Sequence, residues 1–170
     1  DTARTENFDG PWVNFGGYGY LPNDRRHQLK NRGTYGFLEN WRVGMTLNAQ
    51  SGRPISAFGT ANPFDATSYH SFFICTANCD SEADAVYELL GRGSQGRTPW
   101  TYDLSANVTY QRRLGPTDVQ VKFSVYNLLN QERVLEVDEA FDPTDPENTF
   151  GQGTTFFAPR YGQLTLQVRF

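Results

Sequence analysis

The groupings in this 170-residue chain whose types and spacing could do chemistry are two. Cys75-Thr-Ala-Asn-Cys79 is a pair of thiols four residues apart. Glu132, Glu136, Asp138, Glu139, Asp142, Asp145 and Glu147 form a crowd of carboxylates, densest in Asp142-Pro-Thr-Asp-Pro-Glu-Asn148. Two thiolates supply half of a tetrahedral metal site, and no clustered His or further Cys supplies the rest. A disulfide that pins its own segment is the better reading. Oxygens as close as those of Asp142, Asp145 and Glu147 are calcium candidates, but the run lacks the glycine and terminal glutamate of an EF-hand loop. A solvated acidic loop is the safer reading, and such a loop would still draw cationic substrates toward it. No metal and no cofactor is therefore expected. Covalent catalysis finds little support: the histidines are His27 and His70, with no G-x-S-x-G nucleophile elbow and no phosphate-cradling glycine loop. No enzyme is expected, and His27, just before a strand, reads as structural.

The elements that would position such groups are strands. The chain finishes on Tyr161-Gly-Gln-Leu-Thr-Leu-Gln-Val-Arg-Phe170, where Leu164, Leu166, Val168 and Phe170 alternate with Gln163, Thr165, Gln167 and Arg169. Trp41-Arg-Val-Gly-Met-Thr-Leu-Asn-Ala-Gln50 puts Trp41, Val43, Met45, Leu47 and Ala49 on one face. Trp100, Tyr102, Leu104, Ala106, Val108 and Tyr110 do the same in the stretch 100–111, and Val119, Val121, Phe123 and Val125 in the stretch 119–126. A weaker strand, 27–37, carries Leu29, Tyr35 and Phe37 against Lys30, Arg32 and Thr34. A strict two-residue period ending on an aromatic is how outer-membrane β-barrels finish, with one face toward lipid and the other toward the lumen. About ten residues suffice for one crossing.

The connections alternate in length. Positions 38–40 and 113–117 are tight, whereas 51–99 and 130–157 are long, so one rim carries turns and the other large loops, as bacterial barrels do. Direction follows from this. Trp100, Tyr102 and Tyr161 are expected near the outer interface, and Tyr35, Phe37, Trp41, Tyr110 and Phe170 near the inner one, a sorting that a bilayer imposes and a soluble sandwich does not. Within the first long loop, the segment 81–91 reads as a short helix, with Ser81 as N-cap, acids in the first turn and Gly91 past its end. Local packing is favoured for it over a lid role.

Composition agrees with this reading. The chain is 38% hydrophobic and 15% aromatic with a net charge of -4, and its mean hydropathy is -0.60. It has no apolar run of transmembrane-helix length, which leaves membrane strands open. No basic composition suits a nucleic-acid partner. The first seven residues read as the middle of a polar loop, so the chain is expected to be the end of a longer polypeptide.

Leu21-Pro-Asn-Asp-Arg-Arg-His27, Gln50-Ser-Gly-Arg-Pro-Ile55, Val125-Tyr-Asn-Leu-Leu-Asn130 and the terminal stretch from Pro159-Arg-Tyr to Phe170 resemble, in order and spacing, the C-terminal part of TonB-dependent outer-membrane receptors. The likeness is to the Oar-like group, which carries a carboxypeptidase-regulatory-type extension. The resemblance implies an all-β, antiparallel transmembrane barrel of 22 strands, filled by an N-terminal plug and energised by the TonB complex. Residues 1–170 would then be the last five strands of the barrel with long extracellular loops, in the outer membrane of a Gram-negative bacterium. Nothing in the chain resembles the plug or the TonB-contacting segment. Five strands do not close, so the remainder of the barrel and the plug are expected partners alongside outer-membrane lipid.

The polar faces nominate a wall of Arg42, Asn48, Gln50, Asp103, Asn107, Gln111, Gln120, Lys122, Gln163, Gln167 and Arg169. Among these Arg42, Asn48, Gln50, Asp103, Asn107 and Lys122, with Arg53 of the loop, are the substrate-binding candidates. The expected function is binding an unidentified ligand at the outer loops and passing it through the lumen. The alternative is a surface barrel that displays or anchors a partner protein or lipoprotein without transport.

Overall fold

A computed structural model describes residues 15–59, 71–81 and 83–170; the opening segment, His70 and Glu82 lie outside the described residues. The strands, in chain order, are β1 (Gln28–Leu38), β2 (Trp41–Gln50), β3 (Phe58–Gly59), β4 (Phe73–Ala77), β5 (Val86–Leu89), β6 (Thr101–Leu114), β7 (Thr117–Tyr126), β8 (Val134–Val137), β9 (Ala140–Phe141), β10 (Gly153–Phe156) and β11 (Tyr161–Arg169). No described helix is long and apolar enough to cross a membrane, which says nothing of crossing by strands. The chain divides into two compact units: a sheet unit (Arg26–Ser51, Trp100–Arg133, Phe156–Phe170) and a loop unit (Asp1–Arg25, Gly52–Pro99, Val134–Thr155).

The sheet unit is one antiparallel sheet in the order β1-β2-β6-β7-β11. Its strands fall where the two-residue period places them. Glu39 and Asn40 close the first hairpin after a register shift at Phe37. The second turns on Gly115 and Pro116, and Gly115 takes φ +63°, a value that suits a tight hairpin and that a side chain resists.

Register turns the alternation into two continuous faces. Tyr35, Val43, Val108, Phe123 and Leu164 lie in one cross-strand row, and Leu38, Trp41, Tyr110, Val121 and Leu166 in the next. These rows are exposed: Leu164 is 72% accessible, Tyr35 69% and Phe123 50%. A soluble two-layer protein would bury this face. Rings collect toward the strand ends. Phe37 lies 6.3 Å from Trp41, and Trp41 lies 4.9 Å from Tyr110 toward the hairpin turns. Trp100 stacks between His27 at 6.0 Å and Tyr102 at 6.1 Å at the opposite end. Tyr161, a ring expected near the outer interface, lies on the polar face of the sheet. It shares the side of Gln163 and Thr165 and stacks on Tyr126 at 4.7 Å on the polar face.

The segment following β7 ties three strands together at the end away from the turns. Asn127 is 3% exposed and adopts φ +49°. Its Nδ2 donates to Gln131 O at 3.1 Å and Ala158 O at 2.7 Å, and its Oδ1 accepts from Gln131 N at 2.9 Å. Leu128 N donates to Leu104 O, and Tyr102 N to Gln131 Oε1.

The loop unit has a core of its own around Phe72, Ala57, Ile74 and Cys75. β4 and β5 pair antiparallel, β3 and β9 pair parallel, and β8 pairs with β10. Here the expected helix over 81–91 is overturned. Val86, Tyr87, Glu88 and Leu89 form β5, paired with Ala77, Cys75, Ile74 and Phe73. The Ser81 hydroxyl, read as an N-cap, bonds the Asp84 carboxylate inside a turn in which Asp84 N donates to Ser81 O. A helix of about ten residues is marginal alone, so backbone pairing with β4 overrides it.

Candidate functional site

The polar face of the sheet unit carries an array of side-chain donors and acceptors in a concave setting. Its rows run Arg42–Thr109–Lys122–Thr165, Gly44–Asn107–Ser124–Gln163 and Arg32–Thr46–Ser105. A concavity of about 430 Å³ opens on this face, lined by Arg32, Thr34, Gly44, Thr46, Ser105, Asn107, Lys122, Ser124 and Tyr126 among others. Gly44 forms part of its floor because the Asn107 amide lies across it: a Cβ there would sit 2.7 Å from Asn107 Nδ2. Tyr126 O–H donates to Gln163 Oε1 at 3.2 Å.

Of the seven substrate-binding candidates, Asn107 and Lys122 line this concavity. Arg42 lies on the same face toward the turns, opposite Thr109. Asn48 sits between Lys30 and Asp103, and Gln50 between Gln28 and Thr101, toward the other end. Asp103 Oδ1 accepts from the Ser105 hydroxyl at 3.2 Å. Arg53 belongs to the loop unit, where it pairs with Glu139. Arg32, Ser124 and Tyr126 complete the lining without having been nominated. Strand parity carried the signal for Ser124, which lies between Phe123 and Val125 as Lys122 lies between Val121 and Phe123; Arg32, between Asn31 and Gly33, had none as clear.

The charge on this face is one-sided. Lys30, Arg32, Arg42, Arg113, Lys122 and Arg169 point to it, against Asp103 and Asp118. The whole chain, by contrast, is at -4. Asp118 is bracketed in register by Arg113 and Arg169 near the turns, so it offsets that end and not the concavity.

The loop unit is held by half-buried ionic contacts. Arg53 Nη2 lies 3.5 Å from Glu139 Oε2, with both side chains 12% exposed. Ser56 N donates to Glu139 Oε1 at 2.9 Å, and Phe58 N to Glu139 O at 2.8 Å. Burial is the main cause that lifts the Glu139 carboxyl above the usual carboxylate range, opposed by the Ser56 N–H and by Arg53. Arg97 pairs with the Asp24 carboxylate and donates to Asp24 O at 3.1 Å and Gly52 O at 2.9 Å, tying two motif segments of the sequence together. Burial, then the Arg53 and Arg97 guanidiniums, push Arg25 below the usual guanidinium range. Arg97 and its role carried no sequence signal beyond an isolated charge.

Cys75 and Cys79 are joined in a disulfide that closes the chain reversal after β4. The acidic run is used locally. Asp142 Oδ1 accepts from Thr144 N at 2.9 Å, and Asp145 Oδ1 from Glu147 N at 2.8 Å, both as turn-forming contacts. Among the described residues no three His, Cys, Asp or Glu side chains converge to hold a metal ion. The His27 ring stacks on Trp100 and its backbone N–H donates to the Ser51 hydroxyl at 3.2 Å, so it helps close the end of the β1–β2 pair.

The sequence is 31% identical over 133 residues to the TonB-dependent transporter Oar of Myxococcus xanthus, a match covering 75% of this chain and 11% of that protein. The chain is a distant homologue of a TonB-dependent outer-membrane transporter. No family model matches the sequence, and no solved structure matches it. This kinship with Oar is at family level, and the chain spans 11% of the length of that relative. An all-β fold built on an antiparallel sheet agrees with it. The polar face offers hydroxyls, amides and cations for non-covalent recognition.

Proposed function

We propose that this chain is a C-terminal stretch of the barrel wall of a TonB-dependent receptor, with β1, β2, β6, β7 and β11 crossing the outer membrane of a Gram-negative bacterium. Its polar face lines the lumen, the long loops face outside the cell and contribute to ligand capture, and passage is energised through TonB. The observation that carries the reading is the pair of opposite faces: an exposed apolar face with rings toward the strand ends, backed by a polar face with a concavity. Two-faced ribbons of this kind need hydrocarbon on one side and enclosed water or protein on the other. Homology to an outer-membrane transporter supports the same choice.

Single cysteines in the full-length protein, probed in outer membranes, test this. Val108→Cys and Phe123→Cys are expected to react with a lipid-phase reagent and resist an aqueous maleimide, whereas Thr109→Cys and Ser124→Cys resist the lipid-phase reagent. Equal aqueous labelling of Val108→Cys and Thr109→Cys overturns the reading. Ligand uptake that persists after TonB is removed leaves the wall in place and overturns the transport role.

A further inference from the structure

The apolar face of the sheet carries one charged side chain. Arg112 has the parity of Leu104, Ala106, Val108 and Tyr110 on β6, and its row continues through Val119 to Val168. Every other Lys, Arg, Asp and Glu of β1, β2, β6, β7 and β11 lies on the polar face. Arg112 is exposed and forms no hydrogen bond or ion pair with the described residues; Glu39, exposed in the adjoining turn, makes none with it. It stands at the turn end of the strand, one row beyond Trp41 and Tyr110, whose rings lie 4.9 Å apart. On the same face the Tyr110 and Thr117 hydroxyls and the Trp41 indole N–H also donate to none of the described residues. Donors without acceptors thus rim one end of a surface that is otherwise apolar.

We propose that this rim holds the phosphodiester headgroup of a phospholipid, gripped by Arg112, with the acyl chains lying over Val121, Val108 and Phe123. A guanidinium meets phosphate oxygens through two parallel N–H donors, and indole N–H and phenol O–H groups serve the same layer while their rings stay in the apolar one. A cation facing hydrocarbon is costly at mid-depth, but at a strand end its long stem carries the charge to the headgroup level. The set has donors and no free carboxylate within ion-pair reach, so it suits an anion and not a cation. A dissolved anion would answer Arg112 yet leave the neighbouring Leu114 and Val168, 55% and 42% exposed, in water. A lipid answers both. The inference rests on the reading above that this face meets hydrocarbon, and it adds a headgroup contact at the end that carries the tight turns.

Photocapture in the full-length protein tests this. Leu114→benzoylphenylalanine places a photoreactive ring two residues from Arg112 on the same face. The protein is reconstituted in vesicles of phosphatidylglycerol and digalactosyldiacylglycerol in equal amounts, the second lipid having no phosphate. Mass spectrometry of the illuminated peptide is expected to find phosphatidylglycerol adducts in excess by about fivefold, the preference that one cation confers near a membrane surface. Arg112→Ala is expected to remove most of that excess and Arg112→Lys to keep part of it, since the charge stays and the two-pronged contact goes. An excess that Arg112→Ala leaves unchanged overturns the proposal. Loss of the excess on adding soluble glycerol phosphate also overturns it, in favour of a dissolved phosphate. Absence of adducts with either lipid is a separate result that overturns the membrane reading itself.

Discussion

The sheet unit and the loop unit solve the problem of burial in opposite ways. In the sheet, most apolar side chains are exposed or half-buried, and what is buried is Gly44, Ala49, Ser51, Thr101, Ser124 and Asn127, small or polar groups between the strands and at their ends. Backbone ladders hold it, and its apolar face depends on something outside the chain to remove it from water. The loop unit instead buries Phe72, Ile74 and Ala57, packs the Phe58 ring 5.2 Å from that of Phe72, and encloses the Arg53–Glu139 pair. It brings its own interior and needs no lipid to complete it. The first design is stabilised by its surroundings, the second by internal contacts, and each should fail by a different route.

The largest effect is expected from placing a charge in the exposed apolar row. Val108→Arg sits between Val43 and Phe123. In a bilayer it costs about 2–4 kcal/mol at mid-depth, enough to impair assembly, whereas Thr109→Arg, one residue along and on the polar face, is expected to be tolerated. Heat-modifiable migration of the full-length protein in outer membranes reads the difference. Equal tolerance of the two would erase the contrast between the units.

Next is Asn127→Ala. The side chain makes three hydrogen bonds from a buried, positive-φ position, and truncation strands the Gln131 N–H and two carbonyls. The cost is about 2–3 kcal/mol, read as faster amide exchange at Gln131 and along β11 with little change at Phe72. Spread of the effect into β4 and β5 would mean that the two units are not separate cooperative bodies.

The disulfide acts within the other unit. Replacing both Cys75 and Cys79 by Ser removes a short closed loop and costs about 2 kcal/mol in the chain-entropy account. Limited proteolysis near residues 76–85 should rise severalfold, while exchange protection in β2, β6 and β7 stays unchanged.

How much could be read beforehand divides along the same line. The strands of the sheet were legible because an apolar face and a polar face impose a period of two that local sequence carries by itself: Trp41 to Gln50 is both the expected and the observed strand. Parity likewise exposed the polar wall, and with it Asn107 and Lys122. The loop unit was not legible. The segment 81–91 carries helix-like signals at Ser81 and the acids after it, and only the pairing of β5 with β4, more than ten residues away for most pairs, decides otherwise. Glu139 looked like one acid among seven, since its burial depends on Arg53 and Ser56, more than eighty residues distant. Gly52 gave no sign that a Cβ would fall 1.5 Å from Thr98 O. Periodicity reports an environment, whereas these contacts are set by long-range closure.

The smallest effect sharpens the account of that buried carboxylate. Because burial outweighs Ser56 and Arg53, the folded value of Glu139 lies above the one it has in the unfolded chain. The folded loop unit therefore holds the proton more tightly, and its stability falls as pH rises from the ordinary glutamate range through the raised folded value. Acidification through that window should increase exchange protection at Ser56 and Phe58, after correction for the intrinsic pH dependence of exchange. Glu139→Gln keeps an acceptor for Ser56 N but cannot ionise, so its profile should be flat. Amides of Val121 and Leu166, which belong to the sheet unit, serve as the reference. A slope of the opposite sign would mean that attraction to Arg53 exceeds the desolvation cost, and the loop unit would then be held by its ion pair at neutral pH and loosened by acid.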